Sequence, residues 1–433
     1  MVKGDLKIFG MAPESGRWVL VIAGLLIEFC LGAVYAYSIL SVPLKELFTA
    51  PVASGGFGLI VSATEMQLPY IVSLLVFALT MPQVGKYIEK YGPRKIGMIG
   101  GVVVGLGWFL ASFATSPISL AVLYGIVAGV GVGLAYNCPI TTMARWFPDK
   151  RGLAVGLTLL GFGFSAAVTG PVADYLTANF GGVFNSFRIM GVVFLLLIVA
   201  LSMLLKFPPS GWSPKGWKPP KPKAKVAKTE FTRSEMTKTR AFYALWICYT
   251  IGTLAGLMAI GLAKPVGLEI ANNAGMAAVA ASALMTTLII PFAFFNGCGR
   301  PVFGWLTDRL TPQRAVMITY LLIIAASLLL FMNPASLAAY MVSFAMLWAC
   351  LGGWLAIAPT AAASYFGTKD YARNYGLIFT AYGAGAVIGN LLAGQAKDIL
   401  GSYVMVLPFV AVIAAFGMVI AFVMLKPPKQ AAG

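Results

Sequence analysis

Three charged side chains stand inside long apolar runs of this chain: Glu28, Glu65 and Arg300. Arg300 sits in the run 288–305, directly before Pro301. A guanidinium in lipid costs at least about 2.5 to 3.5 kcal/mol on insertion scales and demands a partner or water. Two readings stay open for it. It either snorkels or pairs structurally near a helix end, or it faces a cavity and takes a carboxylate through two parallel N–H···O bonds. Glu28 precedes Tyr35 by seven residues, two helical turns, so both lie on one helix face. A carboxylate beside such a cavity is a candidate proton carrier. It reads equally as a vestibule acid or as the permanent partner of a cation. Glu65 lies nearer a helix end and reads as solvated. The chain has no histidine, and Cys30, Cys138, Cys248, Cys298 and Cys350 stand singly in apolar runs without a C-x-x-C pair. Metal, haem and disulfides are therefore not expected, and no cofactor is.

The elements that position these residues follow from composition. The chain has 433 residues, 59% hydrophobic and 10% charged, against about 25% charged for a soluble domain. Its mean hydropathy is +0.86. A soluble fold of this size has to present a charged exterior, so a cytosolic or secreted enzyme is excluded, as is disorder. At about 20 apolar residues per spanning helix, the chain accommodates twelve spans and little else. The reading is an all-α membrane protein. Spans are expected near 18–41, 57–82, 96–116, 118–143, 152–178 and 184–206, then 242–263, 276–302, 314–333, 337–361, 373–396 and 402–425. Residues 1–17 are polar and lack the apolar core of a signal peptide, so the first span is expected to be retained. With both termini cytoplasmic, 26 of the 31 Lys and Arg fall on the inner side. Lys45, Arg188, Lys264 and Lys397 are left to outer loops, and Arg300 to a span. That asymmetry is the positive-inside pattern, so the net charge of +17 encodes orientation and nucleic acid is not an expected partner.

The domain plan is a cytoplasmic N-terminus (1–17), a six-helix bundle (18–206), a basic cytoplasmic linker (207–240), a second six-helix bundle (241–426) and a short tail (427–433). The linker carries Trp212, Trp217 and a run of lysines suited to anionic lipid headgroups. It ends in Thr232-Arg-Ser-Glu235, the spacing of a capping box. The two bundles repeat each other. Gly85, Glu89 and Lys95 after the second span recur as Gly304, Asp308 and Arg314 after the eighth, each 219 residues on. Phe147 in Arg145-Trp-Phe-Pro-Asp-Lys-Arg-Gly152 has its counterpart in Phe366 at the same offset. Parallel repeats joined by a linker are the pattern of a transporter with a site between its halves.

The loop Gly85-Lys-Tyr-Ile-Glu89-Lys90-Tyr-Gly92-Pro-Arg94-Lys95 resembles the signature loop of the major facilitator superfamily. Arg145 to Gly152, Asn296-Gly-Cys-Gly-Arg300-Pro-Val-Phe-Gly-Trp305 and Arg373-Asn-Tyr-Gly376 resemble its oxalate/formate antiporter and monocarboxylate transporter branch. The resemblance covers essentially all twelve spans. It implies a twelve-helix bundle that rocks about a central site, with Arg300 as the carboxylate anchor. It also implies pocket roles for Tyr35 and Tyr136, both near mid-span, and for Gln67. Asn137 beside Tyr136 adds another mid-membrane polar group. The branch's oxalate carrier places a lysine in the eleventh span, where this chain has Tyr382. One cation fewer suits one carboxylate rather than two. Gly125, Gly129 and Gly133, and Gly383, Gly385 and Gly389, are expected to let helices approach closely.

The expected function is a proton-coupled secondary carrier of small monocarboxylates of the lactate, pyruvate, acetate and formate class. It would work as a monomer in the bacterial inner membrane, with Glu28 as the proton-coupling candidate. An oxalate/formate-type exchanger is the nearest alternative and a non-transporting membrane sensor the alternative of another class. Neither clustered catalytic groups nor a G-x-x-x-x-G-K-[ST] loop occurs, so an enzyme and ATP drive are not expected. In an outward-open state, Glu89 is expected to approach Arg373, and Asp308 to approach Arg151, as gating pairs.

Overall fold

The computed structural model describes residues 7–216, 230–367 and 370–428. Trp217 and the lysine-rich stretch up to residue 229 lie outside the described residues. Twelve helices of the described chain are long and apolar enough to cross a membrane. In chain order they are Pro13–Thr49, Ala63–Tyr91, Pro93–Ala111, Pro117–Trp146, Arg151–Asn179 and Val183–Ser202, then Arg240–Gly261, Ala278–Arg309, Pro312–Met332, Leu337–Phe366, Arg373–Leu400 and Tyr403–Met424. Every expected span is present. Because the crossings are even in number, the first spanning helix starts and the twelfth ends on one face, the terminal face. The opposite side is the far face.

The halves meet where the second span packs along the eleventh and the fifth along the eighth. The glycine stripe of the fourth span makes the close approach expected of it. A Cβ on Gly129 or Gly133 would come within 2.7 or 2.6 Å of the second span. Gly383 similarly abuts Ala78 of the second span, while Gly385 and Gly389 press on Thr253 and Leu254 of the seventh. Without a hydrophobic drive between helices in lipid, such backbone proximity supplies much of the packing energy.

Several ends differ from the sequence expectation, each for a local reason. The first helix begins at Pro13, not Trp18, because proline suits a first turn. Arg17, expected in a solvated N-terminus, is consequently inside the helix and buried. Its guanidinium forks onto Asp149 at 2.6 and 2.8 Å and donates to the Trp146 carbonyl. It also lies 4.3 Å above the Phe147 ring. Those hydrogen bonds hold the Asp149 carboxyl below the ordinary carboxylate range. The second span starts only at Ala63. Ser62 caps it, and Glu65, expected to be simply solvated, closes a capping box on Ser62. Lys264, expected in an outer loop, is 2% exposed and bonded to Asp174. The capping box Thr232–Glu235 forms as its spacing predicts. Of the linker tryptophans, Trp212 packs its ring 4.7 Å from that of Trp146. Asn374 of the Arg-Asn-Tyr-Gly motif donates to the Phe231 carbonyl, tying the returning linker to the second half.

Candidate functional site

Arg300 projects from the eighth span into the boundary between the halves. Its Nη1 donates to the carbonyl of Leu159 in the fifth span at 2.9 Å, while Nε and Nη2 are buried without a partner. Gly163, one turn beyond Leu159, leaves room for this side chain. A Cβ there would stand 3.3 Å from Nε. Asn296, one turn before Arg300, donates to the Trp348 carbonyl and keeps an unpaired buried Oδ1.

Glu28 is completely buried, and neither of its carboxylate oxygens has a hydrogen-bond partner. It lies within the electrostatic field of Arg300. Yet the two form none of the ion pairs found among the described residues. An acid and a guanidinium thus share one closed region without touching. Each unpaired buried N–H or carboxylate oxygen costs on the order of 1 to 3 kcal/mol. A purely structural arginine would be expected to use that bonding capacity.

Aromatic rings wall this region. The hydroxyls of Tyr35 and Tyr382 meet at 2.7 Å across the two halves. A 3-10 turn at Gly32–Ala36, with three residues per turn, positions Tyr35 at the end of its helix segment. Tyr35 and Tyr136 set their edges against Phe162 at 5.1 and 5.5 Å. Tyr136 also packs on Phe77 at 5.1 Å, and Phe379 stacks on Tyr382 at 4.9 Å. Sequence reasoning named the tyrosines but missed Phe77, Phe162, Phe379 and Tyr249. Phenylalanines in apolar spans carry no compositional contrast. Tyr249 stood near mid-span, the same signal that picked out Tyr35 and Tyr136.

The expected site residues do not all converge. Gln67 is buried, but ten residues separate it from Phe77, about 15 Å along the helix toward the far face. Asn137 is half-buried on a different face from Tyr136. The gating candidates Glu89, Asp308, Arg151 and Arg373 are exposed on the terminal face. In this conformation Glu89 pairs with Arg145 of its own half.

The model of the Major Facilitator Superfamily matches residues 20–264 and 249–433. The chain belongs to that superfamily. The oxalate:formate antiporter of Oxalobacter formigenes is 29% identical over 379 residues, covering 87% of this chain and 84% of the antiporter. Monocarboxylate transporter 14 of Mus musculus is 30% identical over 209 residues, 48% of this chain and 38% of that one. A solved structure of a bacterial homologue of the human lysosomal transporter Spinster, inward-facing and unoccupied, superposes with a TM-score of 0.67 at 18% identity. It covers 96% of this chain and 99% of its own. This superfamily member is therefore a multi-pass membrane transporter rather than an enzyme, and its relatives include oxalate/formate and monocarboxylate carriers.

Proposed function

We propose that this transporter is a secondary carrier of small monocarboxylates of the lactate, pyruvate, acetate and formate class. The observation that carries the reading is the pair of unpartnered guanidinium nitrogens of Arg300, buried among aromatic rings at the boundary between the halves. A single carboxylate satisfies such a fork and neutralises the charge. Tyr35, Tyr136 and Tyr382 flank it, with Gln67 and Asn137 as further polar groups on the substrate's route. Tyr382 supplies a hydroxyl where a second cation would favour a dicarboxylate. Neutralising Arg300 lets the two halves close around the anion and rock about it, the alternating access of this architecture.

Glu28 is the proton carrier in this reading. It is buried in the field of Arg300 with both oxygens free of hydrogen bonds. Protonated, it leaves Arg300 to the substrate. Ionised, it compensates the guanidinium when the anion has left. The cycle is then electroneutral symport, run by a monomer in a bacterial inner membrane with the terminal face cytoplasmic. Exchange of the oxalate/formate type is the second reading, favoured by the similarity to that antiporter over most of both chains.

Uptake and counterflow by purified protein in proteoliposomes test both parts. Arg300→Ala should abolish transport of every acid while the protein remains folded and extractable, and Arg300→Lys should rescue poorly. Glu28→Gln should lose accumulation driven by a pH gradient and keep exchange. Full transport by the alanine variant would overturn the anchor role. Accumulation by the glutamine variant would move the proton elsewhere or leave an obligate exchanger.

A further inference from the structure

Tyr249 of the seventh span belongs to the aromatic wall, and no motif pointed to it. Its side chain is completely buried and its hydroxyl has no hydrogen-bond partner. The ring is fixed on two sides. It stacks on the Trp354 indole with centroids 5.8 Å apart and planes 20° from parallel. It also meets Phe379, the ring stacked on Tyr382, at 6.4 Å and 62°. Gly252, one turn further along the same helix, makes the stack possible. A Cβ there would fall 1.9 Å from the indole nitrogen of Trp354. The hydroxyl lies within the electrostatic reach of Tyr136, Tyr35 and Arg300, and the Tyr375 hydroxyl is close enough to interact with it, although the two do not meet in hydrogen-bond geometry.

A phenylalanine would fill the same space without burying a polar atom. Burying a phenol oxygen without a partner is unfavourable, so the hydroxyl calls for an occupant that supplies one. A tyrosine ring stacked on one aromatic face and braced against a second ring aims its hydroxyl with little loss of conformational freedom. The group is therefore preorganised to read a ligand rather than to follow it.

We infer that Tyr249 determines specificity by hydrogen bonding the C2 oxygen of a 2-oxo or 2-hydroxy monocarboxylate whose carboxylate is held by Arg300. A phenol both donates and accepts, so it serves a keto oxygen and a hydroxyl alike. Acetate and formate lack that oxygen and leave the tyrosine unpaired. A site built to bond a substrate oxygen discriminates against analogues without it because its own polar group is then stranded. The inference rests on the monocarboxylate reading and narrows it to the lactate and pyruvate type.

Equilibrium binding of lactate, pyruvate, acetate and formate to the purified full-length protein and to Tyr249→Phe tests it. The variant keeps the ring and its stacking, and thermal unfolding checks that it is folded. The expected result is that affinity for lactate and pyruvate falls about fivefold to tenfold more than affinity for acetate and formate. An unchanged ratio would overturn the inference and assign the hydroxyl to its neighbour Tyr375. A wild-type protein that binds all four acids without preferring the oxygenated pair would also overturn it, yet leave Arg300 as anchor. Wild-type protein that binds none of them would overturn the monocarboxylate reading itself.

Discussion

On the far face, Lys264 of the second half reaches Asp174 of the first at 2.9 Å and donates to Thr286 of its own half. On the same face, Asp398 of the second half accepts the backbone N–H groups of Ala63 and Thr64 in the first, at 2.7 and 2.9 Å, and the Thr64 hydroxyl. On the terminal face the ion pairs Arg17–Asp149 and Arg145–Glu89 both stay inside the first half. Two sets of polar bonds on the far face thus join the halves, beside the Lys397–Glu269 pair that stays inside the second half. Both ion pairs of the terminal face brace the first half alone. Separating the halves at the far face breaks charge-assisted bonds, whereas the terminal-face pairs can move with their half as a rigid body. The far-face lysines follow the internal repeat. Lys264 stands 219 residues after Lys45, the offset of the signature loops, and Asp398 lies in the field of Lys45. Lys45 and Lys264 thus hold equivalent positions in the repeat, while Asp174 and Asp398 lie on the equivalent fifth and eleventh spans but 224 residues apart.

The largest effect expected from this contrast is all-or-none. If the far face opens, the terminal face must close, and Glu89 should then meet Arg373 and Asp308 should meet Arg151. Cysteines placed at either pair should crosslink only when the far face is open. Crosslinking independent of state would show that these residues are neighbours and not a gate.

The next effect is on stability. Asp149→Asn removes the countercharge and one of the two acceptor oxygens, leaving the buried Arg17 charge with an amide oxygen, the Trp146 carbonyl and the Phe147 ring. It should cost about 2 to 3 kcal/mol, below the fully buried limit because Asp149 retains some exposure. The Asp149 carboxyl is held below its ordinary range, so its contribution is present above the unfolded carboxylate value. That contribution is lost as pH falls through the lower folded value. Thermal unfolding of the wild-type protein should fall more steeply in that acid window than unfolding of Asp149→Asn. Access to the central site should not change, because the pair lies within one half.

Lys264→Met should do the reverse with a smaller magnitude. Asp174 is 42% exposed, so the lost pair is worth about 1 kcal/mol, a shift of roughly fivefold toward the far-open state. Thiol labelling of a cysteine at Ser38, a buried position on the first span, should speed up by that factor while the unfolding temperature moves little. Equal effects of Asp149→Asn and Lys264→Met on labelling would erase the distinction between the faces.

Arg300 was legible because a charge in an apolar run has to be explained, whatever the fold. Its surroundings were not. Leu159 contributes a backbone carbonyl, which has no sequence signature, and Phe162 and Phe379 look like every other apolar residue of a span. In water a buried phenylalanine stands out against a polar exterior, but in a bilayer both faces of a helix are apolar. Glu65 lies near the end of the second span as expected, but its capping bond to Ser62 went unseen for the opposite reason. Its Ser-x-x-Glu spacing with Ser62 was readable, but the apolar stretch before it was assigned to the helix. Gln67 shows the cost of placing a residue by span alone, since depth along a helix decides which layer a side chain joins.

The twelve crossings and the two parallel halves are written in the residue pattern. Bilayer thickness sets the length of every apolar run, and the repeated loops fix the register of the halves. That pattern also determined that an arginine and an acid stand within the membrane. That Arg300 and Glu28 share one region without bonding, and that Lys264 crosses to the other half, emerges from helix packing alone. Those outcomes depend on the rotation and depth of helices whose meeting residues lie 90 or more positions apart in the chain. Helix periodicity fixes which residues share a face, but packing between helices decides which faces meet.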